Sequence, residues 1–184
     1  MRIIAGKAGR IAIKVPSAVA RPTTDFVRQA IFSILGETIF DARVLDLFCG
    51  SGALGLEALS RGAASCVFVD EHRQAVSVTE ENLKKARLDG GRTVKAEVLA
   101  FLKRDPANYD LILADPPYWK GYGEIDLVAK LLSLAELPAK LAPGGHLIAE
   151  ISSSQATPSS PHLRLLDRRE YGSSAILIFA NPEA

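Results

Sequence analysis

Short apolar runs and amphipathic stretches alternate through the middle of this 184-residue chain, and that rhythm leaves few folds open. Residues 44–48, 65–69, 92–96, 110–114 and 145–151 read as buried strands. Between them, 53–60, 72–87, 99–104 and 125–135 carry helical spacing. Alternating βαβ units predict a parallel sheet with right-handed crossovers. Runs at 163–171 and 175–180, split by Gly172-Ser173-Ser174, predict an antiparallel C-terminal hairpin. Upstream, Thr24 is placed to cap a helix whose apolar stripe is Phe26, Ala30, Ile31, Ile34 and Leu35, ended by Gly36. Ile3-Ile4 and residues 11–15 flank a glycine-containing turn and predict a small N-terminal β-hairpin. The expectation is an α/β, Rossmann-like fold: a mostly parallel seven-stranded sheet with helices on both faces. Residues 1–20 form its basic hairpin extension, and 21–184 form one compact unit.

Composition narrows the class. No run of 18 apolar residues exists, so no membrane span is expected. The segment Met1-Arg2-Ile3-Ile4-Ala5-Gly6-Lys7 lacks the long apolar stretch of a signal peptide. Two cysteines, Cys49 and Cys66, can build neither a disulfide framework nor a four-ligand zinc site. Both read as small packing residues in a protein of the reducing cytoplasm. No metal is expected. The net charge of +1 hides an asymmetry: residues 1–28 hold six basic side chains against Asp25 alone. A basic arm on a mildly acidic body suggests an anionic partner for the arm, although a solvated surface hairpin gives the same count.

The tetrapeptide Asp115-Pro116-Pro117-Tyr118 follows the apolar run 110–114 and puts a carboxylate at a strand's C-terminal end. Two prolines stiffen the turn, and the Pro116 carbonyl stays free to accept. Two acceptors beside an aromatic ring suit a planar guest bearing an exocyclic NH2. The plainer alternative is a Pro-rich turn with Asp as a cap.

A second cluster, residues 46–55 (DLFCGSGALG), is a strand end, a glycine turn and a helix start. Glycines allow close backbone approach, and a helix N-terminus offers free N–H groups. Asp70 lies twenty residues after Gly50, at the next strand's end, where an acid can accept from ribose hydroxyls. Gly50, Gly52 and Gly55 satisfy G-x-G-x-x-G, so a dinucleotide is one reading. Asp46 at the turn's mouth would repel a pyrophosphate. S-adenosylmethionine has none; it offers an ammonium for Asp46 and a carboxylate for the glycine N–H groups. Phe48 and Glu71 stand beside these residues. Glu97 is a candidate acceptor for the adenine amine with Val98 against the ring, or equally a helix N-terminal charge.

These segments together resemble the bacterial 16S rRNA (guanine(966)-N(2))-methyltransferase family, class I enzymes that use S-adenosylmethionine. The resemblance runs through residues 1–7 (MRIIAGK), 21–25 (RPTTD) with Val27-Arg28, 46–63, 115–118 and the closing Arg169-Glu170-Tyr171-Gly172. Ala8-Gly9 and Ala96-Glu97 depart from the family pattern. The resemblance implies methyl transfer to the exocyclic N2 of a guanine in 16S rRNA, with Asp115, Pro116, Pro117 and Tyr118 as the catalytic loop. It implies phosphate contacts from Arg2, Lys7, Arg10, Lys14, Arg21 and Thr23. Trp119 and Lys120 are placed to line the entrance, with Trp119 equally a packing residue. The implied partner is 16S rRNA in an assembling or assembled small subunit, met by a monomeric enzyme. An adenine-N6 DNA methyltransferase, an NAD-dependent oxidoreductase and a noncatalytic RNA-binding module are the alternatives.

Overall fold

The computed structural model describes residues 1–16, 24–118, 123 and 125–182. Seven strands form one sheet in the order β3-β2-β1-β4-β5-β7-β6. They are β1 (Arg43–Leu47), β2 (Ser65–Asp70), β3 (Gly91–Lys95), β4 (Tyr109–Ala114), β5 (Leu141–Ser152), β6 (Arg164–Tyr171) and β7 (Ser174–Ala180). The first five run parallel, and β7 is antiparallel to both of its neighbours. The chain winds from β1 outward to β3, then crosses back to β4 and on to β5. The order therefore reverses between β1 and β4, and the crevice at their C-terminal ends is where open α/β sheets bind ligands.

The helices are α1 (Asp25–Leu35), α2 (Ala53–Ser60), α3 (Arg73–Ala86), α4 (Val98–Arg104) and α5 (Leu127–Leu132). Strand side chains alternate between two cores. Val44, Phe68, Leu113 and Ile148 pack with Ile31 of α1 and Leu56 of α2 on one face. Leu45, Val69, Ile112 and Leu147 pack with Leu102 of α4 and Leu131 of α5 on the other. Thr24 caps α1 as expected, accepting from the Val27 N–H at 3.2 Å.

Two boundaries depart from the sequence reading. α5 is shorter than 125–135 because Asp126 caps it, accepting from the Ala129 N–H at 2.9 Å. β5 starts at Leu141 rather than 145, since Leu141 pairs with Tyr109 before a register shift resumes the ladder at Leu111 and His146. The N-terminal hairpin is reduced to a single antiparallel bridge, Arg2 with Ala12.

That arm is fastened along α2. Glu57, fully buried, accepts from the Ile4 and Ala5 N–H groups at 2.6 and 3.0 Å. Ser60 donates to the Ala5 carbonyl and accepts from the Ala8 N–H at 2.9 Å. Gly6 has φ +79°, and a Cβ there would lie 1.9 Å from the Ser60 carbonyl oxygen, so only glycine fits. Ile3, Ala8 and Ile13 join the core of that face. Arg28, counted above with the arm's charges, is buried and donates to the Arg2 carbonyl and to Asp25.

Candidate active site

Four strand ends meet at the crevice. The last registered pairs are Leu47 with Val69, Leu47 with Ala114, and Ala114 with Ala149. One residue further on, β1 enters Phe48, β2 ends at Asp70, β4 leads into Asp115 and β5 carries Glu150. The structure thus brings Phe48, Gly50, Gly52, Asp70 and residues 115–118 to one end of the sheet, as the sequence reading expected.

The glycine turn is held from below. Phe48 has φ +58°, unusual for a bulky residue and typical of backbone held in place around a ligand. Gly52, the N-cap of α2, has φ +76°, and a Cβ there would meet the Thr79 methyl at 2.7 Å. Asp70 accepts from the Gly50 N–H at 2.9 Å and from the His72 N–H at 2.8 Å. Each of its oxygens keeps capacity for a further hydrogen bond. Asn82 of α3 donates to the Ser51 carbonyl at 2.9 Å and also brackets Lys14, donating to its carbonyl and accepting from its N–H.

Asp46 is placed differently from the expectation. It does not stand at the turn's mouth; it lies beneath the turn, 1% exposed, accepting from the Gly55 N–H at 2.9 Å. The cause is strand alternation: Asp46 shares the face of Val44, toward α2, where the Gly55 N–H meets its carboxyl. Burial pushes its carboxyl up to about 8, opposed by the Gly55 hydrogen bond and aided by nearby Asp70. Buried beneath the turn and turned toward Gly55, Asp46 does not face a group bound at the turn's mouth, so the charge argument against a pyrophosphate loses its force.

Glu97 fills the helix-end role, one of its two readings. It is exposed, and its oxygens accept from the Leu99 and Ala100 N–H groups at 3.0 and 2.7 Å as the α4 N-cap. Val98 is buried at 3% exposure. Glu71 is exposed, 3.7 Å from the His72 imidazole. Cys49 and Cys66 are both buried, and burial holds their thiols well above the usual range, as inert packing groups require.

On the other side of the crevice, Asp115 is half-buried, Pro116 buried and Pro117 exposed. The Tyr118 hydroxyl donates to Glu150 Oε1 at 2.6 Å and lies 2.7 Å from the Ser174 hydroxyl. Burial and the bond to Glu150 raise the phenol well above the ordinary tyrosine range. Sequence reasoning passed over Glu150, although an acid in the apolar run 147–151 was a visible signal. It passed over Ser174 as a turn residue.

The basic residues are spread rather than gathered. The Lys7 N–H donates to the carbonyl of Ser60, the last residue of α2. Eight residues of helix separate that point from the glycine turn, about 12 Å at 1.5 Å per residue. Arg10 sits in the same turn as Lys7. Arg2 pairs with Asp25 at 3.5 Å and Lys14 with Glu81 at 2.5 Å, nearer the glycine turn. Arg21, Thr23, Trp119 and Lys120 lie outside the described residues. Among the described residues no group of His, Cys, Asp and Glu is arranged to hold a metal ion, and no helix is long and apolar enough to cross a membrane.

A family model described as "Conserved hypothetical protein 95" matches residues 1–180. The chain is 34% identical over 186 residues to "Putative rRNA methyltransferase YlbH" of Bacillus subtilis, covering 97% of this chain and 98% of that protein. It is 33% identical over 162 residues to "Ribosomal RNA small subunit methyltransferase D" of Escherichia coli K12, covering 88% and 79%. A solved structure of a hypothetical protein from Thermus thermophilus superimposes with a TM-score of 0.81 at 33% identity, covering 98% and 99%.

Proposed function

This chain belongs to the Conserved hypothetical protein 95 family, and from that premise we propose that it transfers a methyl group from S-adenosylmethionine to the exocyclic N2 of a guanine in 16S rRNA. The observation that carries the reading is the half-buried Asp115 at the end of β4, across the switch point from the β1 glycine turn. Relatives named for rRNA methylation, matched over most of their length, support RNA as the substrate class.

The donor set fits the nucleoside end of S-adenosylmethionine. Asp70 offers lone pairs to ribose hydroxyls, and the turn at Gly50 and Gly52 lets backbone N–H groups approach the donor's carboxylate. When bound, the donor supplies an electrophilic sulfonium methyl. Phe48 and Glu71 flank that end. Asp46 and Glu97 contribute by shaping the turn and α4 rather than by direct charge contact.

The guanine amine is a poor nucleophile because its lone pair is delocalised into the ring. Its two N–H groups would donate to the Asp115 carboxylate and the Pro116 carbonyl, favouring a more tetrahedral nitrogen whose lone pair points at the methyl carbon. As the N–C bond forms and the methyl–sulfur bond breaks, leaving neutral S-adenosylhomocysteine, positive charge would develop on nitrogen, so Asp115 would interact more strongly with the transition state than with the ground state. The carboxylate then takes the departing proton, directly or through water. Tyr118 would stack on the splayed-out base, worth about 1–3 kcal/mol. Pro117 keeps the loop stiff between them. Arg2, Lys7, Arg10 and Lys14 would contact phosphates and set register along α2. The protein acts as a cytoplasmic monomer on 16S rRNA in an assembling or assembled subunit.

The test is mass mapping of methylated nucleotides in 16S rRNA from cells lacking this protein, with and without its return. One N2-methylguanosine should vanish and reappear. A lost methyl on adenine N6, which fits the same two acceptors, would move the substrate. Calorimetry should give binding of S-adenosylmethionine and none of NADH.

A further inference from the structure

The Tyr118 side chain ties the Asp115 loop to the sheet. Tyr118, Glu150 and Ser174 form a closed triangle: Tyr118 hydroxyl to Glu150 Oε1 at 2.6 Å, Ser174 hydroxyl to the same oxygen at 2.8 Å, and the two hydroxyls 2.7 Å apart. Both anchors stand on regular backbone. Glu150 pairs with Ile176 in the β5–β7 ladder, and Ser174 with Ser152. The phenol is thus pinned to two strands while its backbone lies on a loop.

The carboxylate is an expensive anchor. Glu150 is 5% exposed, and its Oε2 is buried with no hydrogen-bond partner among the described residues. A buried carboxylate so poorly compensated is a weak source of stability, and an apolar replacement of similar volume is often neutral or better. Its position calls for another explanation. Glu150 shares with Pro116, Pro117 and Tyr118 the wall of a cleft of about 10 Å³, at the lower limit of what holds one water. No base fits there, so Glu150 acts on a base only through the tyrosine.

We propose that Glu150 is a positioning residue for methyl transfer: with Ser174 it fixes the ring of Tyr118, so that the target base stacks where its amine meets Asp115 and Pro116. This rests on the reading of Tyr118 as the stacking residue. A freed phenol swings about two side-chain torsions, and misplacement by about 1 Å costs on the order of 100-fold in rate.

The experiment compares wild type, Glu150→Met, Glu150→Gln, Tyr118→Phe and the double variant Glu150→Met/Tyr118→Phe, using 16S rRNA or 30S particles and labelled S-adenosylmethionine. Methionine fills the space and keeps the fold; glutamine keeps an acceptor oxygen. Glu150→Met and Tyr118→Phe should each lower kcat by about 10- to 100-fold with cofactor Kd unchanged. Glu150→Gln should recover part of the loss. The double variant should be no slower than the slower single one, because both remove the same bond. Absorbance titration of tyrosine should show one phenol ionising at lower pH in Glu150→Met than in wild type, and no such phenol in the double variant. Active wild type whose two losses multiply overturns the positioning role and leaves the functional reading standing. Wild type that methylates no RNA, with cofactor binding intact, overturns the functional reading and this proposal with it.

Discussion

At the ends of β1, β2 and β3 acidic side chains hold backbone, whereas at the ends of β4 and β5 side chains hold one another. On the first side Asp46 accepts from Gly55, Asp70 from Gly50 and His72, and Glu97 from Leu99 and Ala100. On the second side Tyr118 is held by Glu150 and Ser174. Carboxylates bonded to amides fix the path of the main chain, so the turn is shaped before any ligand arrives. Hydroxyls bonded to a carboxylate fix a ring rather than the path of the main chain. A donor cofactor of constant shape suits the first arrangement; a base drawn from folded RNA suits the second.

The largest loss is expected where another backbone-holding acid, Glu57, fastens the arm to α2. Glu57→Ala removes the acceptor of two arm amides and the buried partner of Arg61, whose Nε lies 2.7 Å away. It should cost about 3–5 kcal/mol in urea unfolding. A loss below 1 kcal/mol would mean the arm docks by other means. Asp70→Ala should weaken S-adenosylmethionine binding by about 1.5–3 kcal/mol, roughly 10- to 100-fold in Kd, measured by calorimetry. An unchanged Kd would move the ribose contact elsewhere.

Asp46 offers a test by pH. Its folded-state carboxyl is raised from 3.8 to about 8, mainly by burial, so folding favours the protonated form. The stability this contributes is full below about pH 4 and is lost as pH rises through about 8. Wild type should therefore lose unfolding free energy faster than Asp46→Asn between pH 5 and 8, and parallel profiles would contradict the burial. Glu97→Ala should have the smallest effect: about 1 kcal/mol of stability from the lost cap, with cofactor Kd changing less than about threefold, under ~0.7 kcal/mol. A larger change would restore Glu97 to the adenine.

Strand and helix identity was legible because short, nearly continuous apolar runs such as 44–48 mark strands covered on both faces, and 3.6-residue spacing marks helices such as 72–87. Asp115 and Asp70 were legible because each acid ends an apolar run. Asp46 shows the limit. A strand-end acid can leave toward the crevice or toward a helix, and only its face, shared with Val44, decides. Glu97 carried two roles of equal standing, and the backbone geometry displays the α4 cap. The Tyr118–Glu150 link joins residues 32 apart through the pairing of β4 with β5, a relation that no local pattern encodes.

The central claim is that Asp115 and the Pro116 carbonyl grip an exocyclic amine facing the methyl donor. Single-turnover transfer to 16S rRNA by Asp115→Ala, with nucleoside mass analysis of the product and cofactor Kd measured on the same preparation, tests it directly. The expected result is N2-methylguanosine from wild type, a rate lowered by about 100- to 1,000-fold in the variant, and a Kd within about tenfold. Transfer by the variant at near wild-type rate would contradict it.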